Sequence, residues 1–203
     1  MIIERLSPKP DGVGRYAVRF SDGSTMKLYR QTVEDFGLYA GLELTEDQLA
    51  ALRESAGAMS AKMRAVRIVT ASNVSKRDLE QRLIRKGEDR EQAKAAVDWM
   101  AELNLVDDAT TARQIVSHCV ARGYGPARAK QMLYEKQIPR EFWEDALADY
   151  PDQSEQIMQF LRSRLGEEPD EKQTKRAIDA LLRRGHSWSD IRRVLRQISD
   201  FDE

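Results

Sequence analysis

The sequence predicts a mainly α protein. It expects three tandem three-helix repeats, helix-turn-helix-like and stacked in an elongated curved array, behind a small N-terminal β-hairpin or sheet with a short helix. Three observations predict this. Apolar residues fall at helical spacing from about residue 58 onward. A third of the 203 residues are charged, while aromatics (7%), Gly (11) and Pro (6) are few, a profile of helices with solvated outer faces rather than turn-rich β structure. The helical pattern also repeats.

Each element has its own signal. In Arg15-Tyr16-Ala17-Val18-Arg19-Phe20, alternation puts Tyr16, Val18 and Phe20 on one strand face. Ser21-Asp22-Gly23-Ser24 is a hairpin turn, and Thr25-Met26-Lys27-Leu28-Tyr29 resumes the alternation. Ile2 to Leu6 forms a third strand, connected through Pro8, Pro10, Asp11 and Gly12. So small a sheet must lean on a helix. That helix starts at Thr45-Glu46-Asp47-Gln48, an N-cap Thr with Gln three residues on, and turns Leu49 and Leu52 inward. Gly57 loosens the chain before the next segment.

Beyond Gly57, Val66, Val69 and Ile68 give one apolar helix face. Ser75 reads as an N-cap, Asp78 suits the positive end of the helix dipole, Leu79 and Leu83 face inward, and Gly87 closes the helix. Ala93, Ala96, Val97 and Met100 line the next helix, whose end Leu103 and Leu105 complete. A shift of fifty residues puts Leu133 on Leu83 and Lys136 on Lys86; a further forty-eight puts Leu181 on Leu133 and Arg184 on Lys136. A leading helix precedes each pair, with Ile115, Val116 and Cys119 in the second copy and Ile157, Phe160 and Leu161 in the third. The expected domains are residues 1–56, 57–105, 106–150 and 151–203. Repeats of this size stack on their neighbours for stability.

Composition narrows the function classes. The opening Met1-Ile2-Ile3-Glu4-Arg5 has no signal-peptide core, and no stretch is apolar enough to span a membrane. The lone Cys119 forms no intrachain disulfide framework. A soluble, cytoplasmic monomer is the expectation. Total charge is −1, yet residues 57–105 hold ten Lys or Arg against seven Asp or Glu.

Catalytic, cofactor and metal chemistry have no motif here, so none of these is expected. His118 and Cys119 are adjacent on a helix and diverge by about 100°. Cys119 is expected in the core, His186 as a surface or capping residue, and Asp107-Asp108 as a helix start. In Gly123-Tyr124-Gly125-Pro126, Gly ends one helix and Pro opens the next. Tyr124 there is either part of that turn or an exposed platform for a base or a partner. Trp99, Trp143 and Trp188 are read as packing residues. A basic cluster ends the middle helix of each copy: Arg82, Arg85 and Lys86; Lys130 and Lys136; Arg183 and Arg184. The helix dipole favours cations there, but their recurrence also points to a binding face.

These residues resemble a known family, the bacterial RecX regulatory proteins. The central signature is Gly123-Tyr124-Gly125-Pro126-Ala127-Arg128-Ala129-Lys130-Gln131-Met132-Leu133, with Asp107-Asp108 upstream. Ser75-Lys76-Arg77-Asp78-Leu79 through Lys86-Gly87 is similar to the family's first-repeat pattern. Leu181-Leu182-Arg183-Arg184-Gly185-His186 through Ile191 is similar to its third. Residues 36–45 look like the extension of longer members. This chain departs from the pattern at Ser72 and Asn73, at Gln137 where the family has Gly, and at His186 where it has Phe.

The resemblance implies a non-enzymatic regulator that binds the RecA filament on single-stranded DNA and limits its recombinase, ATPase and coprotease activities in recombination and SOS DNA repair. Candidate contacts to RecA or DNA are Arg82, Arg85 and Lys86; Arg122, Tyr124, Arg128, Lys130 and Lys136; and Arg183, Arg184, Arg192, Arg193 and Arg196. A stand-alone helical-repeat DNA-binding protein and a protein-protein adaptor are the alternatives. A mixed-sign surface suits a nucleoprotein filament better than autonomous tight DNA binding, which favours a strongly positive domain.

Overall fold

Three antiparallel strands open the chain in the computed structural model, which describes residues 1–11, 13–166 and 170–201. They are β1 (Ile3–Pro8), β2 (Arg15–Phe20) and β3 (Thr25–Tyr29), in the order β1-β2-β3. Tyr16 pairs with Leu28 and Val18 with Met26, and Ile3, Val18, Phe20 and Leu28 are buried on the inner face. Gly12, assigned to the first connection, lies outside the described residues. Gly23 has φ 82°, the left-handed conformation a tight hairpin turn needs. Ahead of the helix expected from Thr45, a shorter one without its own sequence signal, α1 (Arg30–Asp35), follows β3.

The long helix α2 (Glu46–Ala71) serves two cores. Thr45 caps it in a full capping box with Gln48. Leu49 and Leu52 pack beneath the sheet with Val33, Leu38 and Leu44. Two and a half turns further on, Ala61, Ala65 and Ile68 turn to a separate core. Gly57 therefore does not loosen the chain; it lies inside α2. A Cβ there would stand 2.3 Å from Oε1 of Gln92, so the missing side chain lets Gln92 lie against α2. The inward row is Ala61-Ala65-Ile68, with Val66 and Val69 at its margin, because residues i, i+4 and i+7 share one stripe.

Two further helices complete the first set: α3 (Lys76–Arg85), capped by Ser75, and α4 (Arg90–Glu102), capped by Asp89. Leu79, Leu83, Ala93, Ala96, Val97 and Met100 are buried between them and α2. Leu103 and Leu105 lie beyond α4 and are exposed. Asn104, with φ 55°, turns the chain so that Val106 fills the core instead.

The chain divides into two compact units, Met1–Val106 and Asp107–Glu203. In the second, α5 (Asp108–Ala121), α6 (Pro126–Glu135), a 3-10 turn (Arg140–Phe142) and α7 (Trp143–Leu147) enclose Ile115, Val116, Cys119, Ala129, Leu133 and Ile138. Then α8 (Ser154–Arg164), α9 (Glu171–Arg183) and α10 (Trp188–Phe201) enclose Ile157, Leu161, Ala177, Leu181, Ile191 and Val194. The third helix of the middle set is cut to five residues after its 3-10 turn. Cys119 is a core residue: burial raises its thiol pKa, and Sγ lies 3.4 Å from the Met132 sulfur.

Candidate functional site

The three middle helices end in one common way. Lys86, Lys136 and Arg184 are their C-cap residues. The next residues, Gly87, Gln137 and Gly185, have φ of 90°, 56° and 86°. The amides of Glu88, Ile138 and His186 then donate to the carbonyls of Leu83, Leu133 and Leu181. This bond pattern closes a helix through a left-handed residue. It places one cation in each set beside carbonyls that carry the negative end of the helix dipole. Gln137 adopts that conformation with a side chain, where Gly87 and Gly185 have none.

The candidate cations divide into those held by the protein and those that are not. Arg82 grips Asp78 with two nitrogens, at 2.9 Å each, and donates to Ser72 Oγ at 3.2 Å. Asp78 is buried, and Arg85 approaches it at 4.0 Å. Lys86 is exposed, but its carbonyl is taken by Arg64, which also pairs with the shielded Glu88 at 2.8 Å. Arg64 thus stabilises the end of α3, a role the sequence did not reveal. Arg128 bridges to Glu135 at 3.5 Å, and Lys136 is half-buried. Arg184 lies over the Phe160 ring at 4.7 Å, so Phe160 is only partly in the core. Arg193 reaches Asp152 and Asp190, at 3.1 Å each, and Ser154 Oγ at 3.0 Å. In contrast, the charges of Lys86, Arg122, Lys130, Arg183, Arg192 and Arg196 are exposed and form no ion pair or ring contact among the described residues.

Two motifs far apart in sequence meet in the second unit. The N–H of Gly125 donates to the Arg184 carbonyl at 2.9 Å, and that of Ala127 to the Gly185 carbonyl at 3.2 Å. The negative end of α9 therefore docks on the positive start of α6, where Pro126 has no N–H to satisfy. Both glycines are steric requirements. A Cβ on Gly125 would lie 2.1 Å from the Gly185 oxygen, and one on Gly185 would lie 2.2 Å from the Arg128 nitrogen. The Gly-x-Gly-Pro turn and the Arg-Arg-Gly turn are two halves of one joint, and they bring Arg122, Tyr124 and Arg128 to the end of α9 with Arg183 and Arg184.

His186 seals this joint. It is 5% exposed, and its Nε2 lies 3.1 Å from the Gly123 carbonyl, so the expected surface or capping role is overturned. That contact suits a neutral ring with the proton on Nε2. Burial lowers its pKa, reinforced by Arg184 and opposed by the Gly123 bond and Asp190. The capping role falls to Ser187, whose Oγ accepts the Asp190 N–H at 3.1 Å. Tyr124 is half-buried against the core of its helix set, and its carbonyl accepts the Tyr150 hydroxyl at 2.6 Å. Burial pushes the Tyr150 pKa up to about 12. Tyr124 is part of the turn rather than an open platform.

Asp107 caps α5 by accepting the Ala109 and Thr110 amides, and hydrogen bonds from Thr110 lead in lowering its pKa. Trp99 and Trp143 pack partly buried beneath Lys62 and Arg140, and Trp143 donates to the Ile138 carbonyl. Trp188 departs from its predicted packing role: it is 52% exposed, because the inner face of α10 is filled by Ile191 and Val194. Among the described residues no His, Cys, Asp and Glu group has a metal-holding arrangement, and no helix is long and apolar enough to cross a membrane.

Repeated helix sets, a shared left-handed closure with a cation beside it, and exposed arginines define a tandem three-helix-repeat protein. Residues 107–147 match the model of the second three-helix domain of RecX. The chain is 30% identical over 136 residues to the regulatory protein RecX of Xanthomonas axonopodis pv. citri (strain 306), covering 66% of this chain and 84% of that one. It is 26% identical over 208 residues to that of Clostridioides difficile (strain 630), covering 100% and 98%. The chain belongs to the RecX family. A crystal structure of a regulatory protein RecX superposes with a TM-score of 0.65 at 21% identity, over 95% of this chain and 98% of that one. RecX from Lactobacillus salivarius gives 0.61 at 19%, over 70% and 97%. Both share the fold.

Proposed function

We propose that this protein binds the RecA filament on single-stranded DNA and restrains its recombinase, ATPase and coprotease activities, as a cytoplasmic, non-enzymatic monomer serving recombination and SOS repair. The β-containing domain (residues 1–56) and the first repeat (57–105) share the long helix α2, and residues 106–150 and 151–203 form two further repeats. The carrying observation is the recurrence of Lys86, Lys136 and Arg184 at one structural position, together with six exposed candidate cations that have no ion pair or ring contact among the described residues. Membership in a family of regulatory proteins supports a regulatory role. A formal charge of −1 favours a partner that is part protein and part nucleic acid over bare DNA. The test is DNA-dependent ATP hydrolysis by RecA with this protein at substoichiometric ratios. The rate falls if the proposal holds, and an unchanged rate refutes it.

A further inference from the structure

Of the three tryptophans, Trp188 alone is unsheltered. Trp99 and Trp143 are each partly buried with a cation over the ring, at 5.2 and 4.9 Å. Trp188 is half-exposed and has no such cation among the described residues. It begins α10. Arg192 and Arg196 follow at four and eight residues, so the three form one row on the helix at steps of about 6 Å. Ser189, Arg193 and Gln197 form the adjacent row, and the six side chains line one shallow groove.

The groove is held in place from both sides. On the core side Ile191 and Val194 are fully buried, which fixes the rotation of α10 and turns the Trp188 row outward. On the flank Arg193 is tied to Asp152, Ser154 and Asp190. That leaves Arg192 and Arg196 exposed, with no ion pair among the described residues, beside an uncovered indole.

We propose that this face is a subsite for single-stranded nucleic acid, in which Trp188 stacks on one unpaired base and Arg192 and Arg196 take phosphates of the adjoining backbone. A flat aromatic beside a track of free cations is how single strands are gripped without sequence preference. A duplex offers no unstacked base to the ring, and an acidic peptide would engage the arginines while giving the indole no planar partner. The inference rests on the proposed function and deepens it: it assigns the DNA component of the filament, and not RecA, to α10.

The test uses the full chain without RecA and a fluorescently labelled short oligothymidylate, with anisotropy titrations over a range of salt. Trp188→Ala weakens binding by about five- to 150-fold, which is the ~1–3 kcal/mol of one base–aromatic stack at 1.4 kcal/mol per decade. It leaves the salt slope unchanged, whereas Trp188→Phe keeps most of the affinity. Arg192→Gln and Arg196→Gln each lower the slope of log K against log salt by about 0.7. Circular dichroism checks that helicity is retained. Wild-type affinity for oligothymidylate in Trp188→Ala, or no binding by the wild type at low salt, overturns the subsite. If Trp188→Ala instead loses capture of DNA-free RecA while holding oligothymidylate normally, the face meets protein and the subsite is likewise overturned. The proposed function is judged separately, by the effect of the wild-type protein on RecA ATP hydrolysis.

Discussion

Gly87 and Gly185 occupy the same place at the ends of α3 and α9, with nearly the same φ, 90° and 86°. Replacing each by Ala imposes the same left-handed strain, about 1–2 kcal/mol. The reduced entropy of the unfolded chain returns about 0.4–1 kcal/mol. At Gly87 a Cβ meets nothing within 4 Å, so Gly87→Ala should cost roughly 1 kcal/mol. At Gly185 the Cβ would lie 2.2 Å from the Arg128 nitrogen and 2.7 Å from its Cβ, and neither can yield without parting α9 from α6. The bonds Gly125–Arg184, Ala127–Gly185 and His186–Gly123 would then go, at about 0.5–1.5 kcal/mol each. Gly185→Ala should therefore cost about 3–5 kcal/mol. Urea unfolding followed by circular dichroism measures both variants. Amide hydrogen exchange localises the loss, which matters because the two compact units can open separately. Equal costs at the two positions, or unaltered protection at Gly125 and Ala127 in Gly185→Ala, would refute the joint between these motifs.

Other substitutions probe neighbouring features. Gln137→Gly relieves a left-handed side-chain residue and should stabilise by about 0.5–1 kcal/mol, read as a rise of about 1–4 °C in the melting temperature; a fall contradicts the strain. The lowered pKa of His186 gives stability that is complete above its unfolded pKa of about 6.5 and is lost as pH falls through its folded pKa. Melting temperature should drop over that window in the wild type and drop less in His186→Phe, and matching profiles would exclude His186 as the source. Arg82→Ala strands the buried Asp78 and should cost about 1.5–3 kcal/mol in urea, whereas exposed Arg183→Ala should change stability by no more than about 0.5 kcal/mol. Arg183→Glu should weaken co-sedimentation with the RecA filament without loss of helicity, and wild-type co-sedimentation removes Arg183 from the binding face.

Local chemistry was legible in the sequence. The caps at Thr45, Ser75 and Asp107, the Gly125-Pro126 helix start and the core positions of the repeats all follow from side-chain oxygens, proline geometry and period. Even the fifty- and forty-eight-residue offsets locate the left-handed residues Gly87, Gln137 and Gly185. Features decided by distant partners were not legible. Gly57 reads as a break until Gln92 is seen lying across it, and the polarity of His186 hides a joint whose other half is sixty-three residues away. Trp188 departs from its expected packing role for a different reason. Large aromatics usually pack, but the spacing of Arg192 and Arg196 behind it was already visible as one helical row.

Net charge is a poor guide to this surface because many candidate cations are spent internally. Arg82, Arg85, Arg128 and Arg193 face carboxylates, and Arg184 covers Phe160. Reversing the charge of any of them disturbs packing as well as binding, so a loss of activity there would not identify a contact. Lys86, Arg122, Lys130, Arg183, Arg192 and Arg196 carry the information, since their charge meets no ion-pair or ring partner among the described residues. Each phosphate engaged on a single strand contributes about 0.7 to the salt slope. Even all six together would give a modest slope of about 4.2, short of what tight autonomous DNA binding usually shows. On the proposed function, affinity for the filament comes largely from protein–protein contact, with the cations setting where on the nucleoprotein the chain lies. A filament-binding slope well above about 4.2 that persists after all six are neutralised would show that the internally paired cations open on binding, and would reverse this division.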